Sequence, residues 1–234
     1  MKKLYQKVHK TFIDTLRQYK LILNDKSLLL SCILGFVLVA ASLIINYFAG
    51  KFATSSASSS VTDIILDHVR VWDVTFIFVE GAIIFWCFVA IVMLLEPKRI
   101  PFVTKSVALF IVIRSIFISL THLAPFSPHL ELPIGNMIAR FTFGGDLFFS
   151  AHTGAPFLFA LIFWDEKWVR YTCLVSSFIF GIAVLLGHLH YSIDVFAAFF
   201  ITFAIYHIAI YFFKHDFELF KKVSGKILET KIEL

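Results

Sequence analysis

Long apolar runs alternate along this chain with short polar connectors. The runs near Ser27–Ala49, Val74–Leu95, Val107–Leu123, Leu147–Trp164, Tyr171–Leu189 and Ser192–Phe213 each approach the roughly 20 residues a helix needs to cross a bilayer. The pattern predicts an all-α, polytopic membrane protein: a six-transmembrane-helix bundle over residues 27–213. Ahead of it, Met1–Lys26 sets Leu4, Val8, Phe12 and Leu16 at helical spacing amid Lys and Arg. That is the pattern of a basic amphipathic helix lying on a membrane surface. The first apolar run is longer than the hydrophobic stretch of a signal peptide, so a retained helix is expected there. The segment 54–60 (TSSASSS) reads as a flexible linker. Residues 214–234 read as a polar tail.

Composition removes the soluble alternative. Hydrophobic residues make up 59% of the chain, charged residues 16%, and 29 positions are Phe. No soluble fold hides that much apolar surface, whereas lipid covers it without penalty. The net charge of +5 could suggest nucleic acid, but the basic residues are confined to the connectors. An anionic membrane surface is therefore the expected partner. Cys32, Cys87 and Cys173 all fall within apolar runs without ligand-like spacing, and are expected to be plain buried thiols rather than disulfides or zinc ligands.

Lys and Arg also set an expected orientation. Residues 1–26 hold seven, Glu96–Ser106 three, Asp165–Arg170 two and the tail five, while the alternate connectors hold Lys51, Arg70 and Arg140. The imbalance predicts cytoplasmic termini, with segments 50–73, 124–146 and the turn near His190 facing the periplasm, lumen or exterior.

Several ionisable residues stand inside or against the apolar runs: Glu80, Arg114, His152 and Asp194. Such groups usually face a polar cavity and serve a function. The topology gathers His152, His190 and Asp194 near one face, with Glu80 about two turns below it and Arg114 roughly 14 Å below it at 1.5 Å per residue. If the stretch from Gly187 to Asp194 is helical, His190 and Asp194 share a face at i and i+4, and His188 points away from them. A carboxylate there holds the imidazole in one tautomer, and an oriented neutral imidazole is a competent nucleophile. A second histidine opposite, His152, could protonate a leaving oxygen. It lies where a polar loop enters a helix, and free N–H groups at a helix start attract phosphate. A Glu80–Arg114 pair, acting as structural glue, is the plain alternative for those two residues. His207, His122 and His129 are expected to be incidental.

These residues carry a resemblance. Gly145-Asp146, Ser150, His152 and Thr153 fit a G-D-x-x-x-S-x-H-T pattern. His188, His190, Tyr191, Ser192, Asp194 and Val195 fit H-x-H-Y-[ST]-x-D-V. Together they resemble the sphingomyelin synthase-related family within the type 2 phosphatidic acid phosphatase superfamily. Asp63 and Asp67 echo its D-x-x-x-D, Glu80 its acidic residue in the second helix, and Arg114 its arginine in the third. The resemblance implies a metal-free enzyme moving phosphoryl head groups between membrane phospholipids and a lipid or water acceptor, with no cofactor. It implies His190 as nucleophile, Asp194 as its orienting partner, and His152 as acid and then base. Asp146, Ser150, Arg114, Glu80 and Tyr191 become candidate substrate-binding residues, with Arg114 and Arg140 the candidate phosphate cations. Phe148, Phe149 and Phe157 are candidate lining aromatics. The chain departs from the family at Ala151, where glycine is usual, and lacks the proline-containing form of the Asp63 motif. It also lacks the Lys…Arg-Pro and Ser-Arg signatures of the phosphatase branch, which favours the synthase-like branch. Transfer and hydrolysis both stay open.

Two other classes fit part of the pattern. A metal-dependent membrane hydrolase could use His188, His190, Asp194 and His152 as ligands, provided the backbone between the histidines is extended. A proton-coupled transporter could use Glu80, Arg114 and the histidines as a relay, although the chain lacks the repeated halves such proteins often show.

Overall fold

The computed structural model describes residues 2–130 and 144–222, with side chains from residue 13 onward. All its regular structure is helical. The helices are α1 (Lys2–Asn24), α2 (Lys26–Ser55), α3 (Ala82–Leu95, preceded by a π turn at Ile77–Gly81), α4 (Ile100–Leu120), α5 (Ala151–Ile162), α6 (Lys167–Leu186) and α7 (Ser192–Phe212). Five stretches are long and apolar enough to cross a bilayer: α2, the π turn with α3, α4 with the 3-10 turn before it, α6 and α7. This is a polytopic membrane bundle.

The first span runs on to Ser55, past its expected end at Ala49 and into the segment expected to be a linker, and the fifth covers Lys167–Leu186 instead of Tyr171–Leu189. Two further spans differ in ways that shape the fold. The third begins at Ile100 rather than Val107, because Pro101 stands in its first turn and Lys105 in its second. Lys105 interrupts the apolar pattern but not the helix. It is buried, and its Nζ donates to Asp216 Oδ2 and to Ser31 Oγ, both at 2.6 Å. A buried cation is tolerated only when paired in this way. The fourth span, expected over Leu147–Trp164, forms a helix only from Ala151 to Ile162. Those 12 residues rise about 18 Å, short of the roughly 30 Å hydrocarbon layer. The apolar residues before them form a bent, non-helical approach that ends at Ser150, whose Oγ accepts from Thr153 N at 3.4 Å as a helix cap.

Packing follows the two halves of the chain. α2 lies along α4, and α5 is held between α6 and α7. Gly154 makes the second arrangement possible, since a Cβ there would meet Thr202 Oγ1 at 2.8 Å and the Phe110 ring at 3.0 Å. The core is aromatic: Phe85, Phe102, Phe110, Phe149, Phe159, Phe163, Phe180 and Phe220 belong to one buried cluster.

The end of the bundle away from His190 is closed by both flanking segments. α1 does more than lie free. Thr15 Oγ1 and Tyr19 OH donate to the carbonyls of Leu95 and Leu94, and Gln18 donates to Glu96. These bonds satisfy carbonyls that the end of α3 leaves without helical partners. Residues 214–222, within the segment read as a tail, are helical. They return Asp216 to Lys105 and Phe220 to the core. Arg99 is buried there between the rings of Phe163 and Phe220 and pairs with Glu166.

Candidate active site

The opposite end is assembled from loops. A helix through His188–Asp194 does not form: α6 stops at Leu186, and α7 begins only at Ser192. His188 has φ 52°, a left-handed conformation uncommon outside glycine. It is held there by its ring, whose Nδ1 is 2.9 Å from Pro128 O and whose Nε2 is 3.0 Å from Val69 O. The expectation that His188 points away along a helix is therefore replaced by a clamp across three loops.

The His190–Asp194 pair nevertheless forms, by a different route. Asp194 stands in the first turn of α7 and reaches back beyond the helix start. Its Oδ2 accepts the Tyr191 N–H at 2.9 Å and lies 3.4 Å from His190 Nδ1. Asp194 is wholly buried and His190 nearly so. The second carboxylate oxygen, Oδ1, is buried with no hydrogen-bond partner among the described residues.

His152 lies one residue inside α5. Its ring stacks on Phe78 with centroids 3.9 Å apart and meets Phe180 edge-on. His190 and Arg114 both lie within electrostatic range of it. A backbone bond ties the two motif segments directly: Ser150 N donates to Asp194 O at 3.1 Å. The start of α5 and the start of α7 are thus locked together, and with them His152 and the His190–Asp194 pair.

Arg114 pairs with Asp146 rather than Glu80. Its Nη2 donates to Asp146 O at 2.7 Å and Oδ2 at 3.1 Å, its Nε to Phe149 O at 3.0 Å, and its Nη1 to Asn46 Oδ1 at 3.3 Å. The guanidinium thereby fixes the approach to α5, and Asp146 lies within electrostatic range of His190. Glu80 falls in the π turn before α3, with Oε2 buried and without a hydrogen-bond partner among the described residues. Ser150 and Tyr191 are buried in structural bonds. Ser150 caps α5, while the Tyr191 hydroxyl accepts from Val61 N and donates to Ala124 O. Phe149 packs against Phe110 and Phe117, Phe148 against Phe117, and Phe157 against Phe199. Arg140 lies outside the described residues.

Gly145 has a steric reason to be glycine. A Cβ at that position would stand 2.6 Å from Thr54 Cα and 2.9 Å from Thr54 N, at the end of α2. Backbone atoms cannot yield as a side chain can, so the loop reaches Arg114 only without a side chain here.

Three participants escape a reading of sequence alone. Asn46 is the one amide side chain in the first apolar run, which is the only signal it offers. Phe78, which stacks on His152, is one of 29 phenylalanines and carries none. The third is the bond between Asp63 and Ser192: Asp63 Oδ2 accepts Ser192 N at 2.7 Å and Ser192 Oγ at 2.8 Å. Burial alone would raise the Asp63 carboxyl. The N–H groups of Ser192, Leu66 and Ile65, with the Ser192 hydroxyl, instead hold it below the ordinary carboxylate range.

Among the described residues, no group of three or more His, Cys, Asp or Glu side chains is placed to hold a metal ion. His188, one of the ligands such a site would need, has both ring nitrogens against carbonyl oxygens. Comparison with curated proteins and with solved structures yields no match. Residues 144–211, the stretch containing Asp146, Ser150, His152, His190 and Asp194, match the family model described as PAP2 superfamily C-terminal. The match makes that stretch, less than a third of the chain, similar to the C-terminal part of the type 2 phosphatidic acid phosphatase superfamily.

Proposed function

We propose that this chain moves a phosphoryl head group from a membrane phospholipid to a lipid hydroxyl or to water, in the manner of the sphingomyelin synthase-related branch, through a phospho-histidine. The observation that carries the reading is the joining of His152 to the His190–Asp194 pair through the Ser150–Asp194 backbone bond.

With Asp194 on Nδ1, the lone pair of His190 Nε2 is free to attack phosphorus. The N–P bond forms as the P–O bond to the lipid alcohol breaks, and His152 gives its proton to the departing oxygen. In the second half His152 takes the proton of the acceptor hydroxyl or water. The acceptor oxygen bonds phosphorus, and His190 leaves as a free imidazole. The 3.4 Å separation of His190 and Asp194 is long for a hydrogen bond, and catalytic contacts of this kind commonly tighten once substrate is bound. Arg114 serves by holding Asp146 and the approach to α5 while adding positive charge near the phosphoryl group. By the distribution of Lys and Arg, the site opens toward the periplasm, lumen or exterior.

The test uses the full chain in nanodiscs with phospholipids labelled at the head-group phosphorus. Wild type should form an acid-labile, base-stable phospho-adduct and release diacylglycerol or the corresponding lipid alcohol. His190→Ala should form neither while remaining folded. Asp194→Asn should turn over about 10⁴-fold more slowly, by analogy with loss of the orienting carboxylate in a catalytic triad. Wild-type turnover in His190→Ala would end the proposal.

A further inference from the structure

The N-terminus of α7 is capped from outside its own segment. Tyr191, its N-cap residue, has extended backbone, and its hydroxyl is already bonded to Val61 N and Ala124 O. The first free N–H of the helix, that of Ser192, points instead at Asp63 Oδ2. The same oxygen accepts the Ser192 hydroxyl. The other oxygen, Oδ1, closes the turn after Asp63 by accepting Ile65 N at 2.9 Å and Leu66 N at 3.1 Å. Asp67 Oδ2 accepts the N–H of Asp63 itself at 2.9 Å, which fixes the carboxylate's own backbone. Leu66 is buried with Leu147 and Tyr191.

Two carboxylates therefore govern one turn of helix. Asp194 holds the N–H of Tyr191 and faces His190, while Asp63 holds the next N–H, that of Ser192. If Ser192 is released, the first turn of α7 frays, and the Asp194 carboxylate loses the geometry that aims it at His190. Asp63 also brings negative charge to the positive end of the helix. Its bonds among the described residues reach Ser192, Ile65, Leu66 and Asp67 but neither His190 nor His152, so it acts through Ser192.

We propose that Asp63 is a positioning residue for the His190–Asp194 pair, capping α7 across the fold through Ser192. The catalytic part of this inference rests on the phospho-histidine reading above; the capping part does not.

The test compares Asp63→Ala and Asp63→Asn in the full chain in nanodiscs. Amide hydrogen exchange over 191–194 reads the cap, and kcat and KM for a phospholipid substrate read the reaction. Asp63→Ala should speed exchange at Ser192 and Asp194 and lower kcat by about 10- to 100-fold, as loss of an outer supporting group does, with KM little changed. Asp63→Asn keeps an oxygen that can accept the Ser192 N–H but turns an NH2 toward the Ile65 and Leu66 N–H groups, so it should restore part of both. Unchanged exchange in Asp63→Ala overturns the proposal, as does an Asn variant as impaired as Ala. A rise in KM comparable to the fall in kcat also overturns it, because that would place Asp63 on the substrate. Should Asp63→Ala fail to fold, Ser192→Pro, which deletes the capped N–H but leaves Asp63, must reproduce the kcat loss; wild-type kcat there overturns the proposal. If exchange responds as expected while His190→Ala keeps full turnover, the cap stands and the phospho-histidine reading falls.

Discussion

At the scale of single residues, the site is a set of side chains whose polar atoms are nearly all committed. Asp194 has one oxygen on Tyr191 N and His190 and the other buried without a partner, and Arg114 is engaged through all three guanidinium nitrogens. Asp63 gives this economy a measurable pH dependence. Its carboxyl is held below its ordinary range in the folded protein. As pH falls the unfolded chain takes up the proton first, so Asp63 contributes stability above the unfolded value that is lost as pH drops through the folded one. Protonated Asp63 resembles asparagine. The unfolding temperature of wild type should therefore exceed that of Asp63→Asn at about pH 6, and the gap should close below about pH 4, near and under the ordinary Asp value. A gap that persists in acid would mean the carboxylate's charge is not what the fold uses.

At the scale of elements, each motif works because a helix begins where its sequence changes character. Ser150 starts α5 and Asp194 shapes the start of α7, so the candidate residues stand at helix N-termini, whose dipole favours negative charge. Gly145 governs how close the approach to α5 comes to the end of α2. Gly145→Ala should force that loop off Thr54 and cost about 1–3 kcal/mol, as overpacking against a rigid neighbour does. The measurements are a lowered unfolding temperature in detergent and a reduced rate of phospho-adduct formation. Much of this level was legible in advance. The start of α7 is legible to the residue, because Ser192 opens a long apolar run in which Asp194 is the one charged residue. The start of α4 was not, because hydropathy counts Lys105 as a break and cannot see that Asp216, over a hundred residues later, neutralises it.

At the scale of the whole molecule, the bundle has two unlike ends. One is sealed by α1, by residues 214–222 and by the Arg99–Glu166 and Lys105–Asp216 pairs. The other is stitched from loops: Ser58 to His122, Trp72 to Leu186, Leu130 to Gly187, and His188 to both Val69 and Pro128. From the distribution of Lys and Arg we propose that the sealed end faces the cytoplasm. A thiol introduced at His129, on the stitched end, should then react with an impermeant reagent added outside intact cells, in a chain whose own three cysteines are replaced by serine. Reaction only after lysis would reverse the orientation.

The sequence by itself determined the membrane class, the number of apolar runs, and the two motifs whose His and Asp residues define the candidate chemistry. Those features are local: hydropathy is summed over one segment, and a motif is a spacing within a few residues. Only the tertiary structure decided what holds the motifs in place. It made the Gly187–Tyr191 stretch a turn instead of a helix, because His188 finds two carbonyls on distant loops. It assigned Arg114 to Asp146, and it drew Asp63 onto Ser192. Each of these is a polar group seeking a partner where water is scarce, and the partner is set by which distant segment the fold brings within about 3 Å, a distance no spacing along the chain encodes.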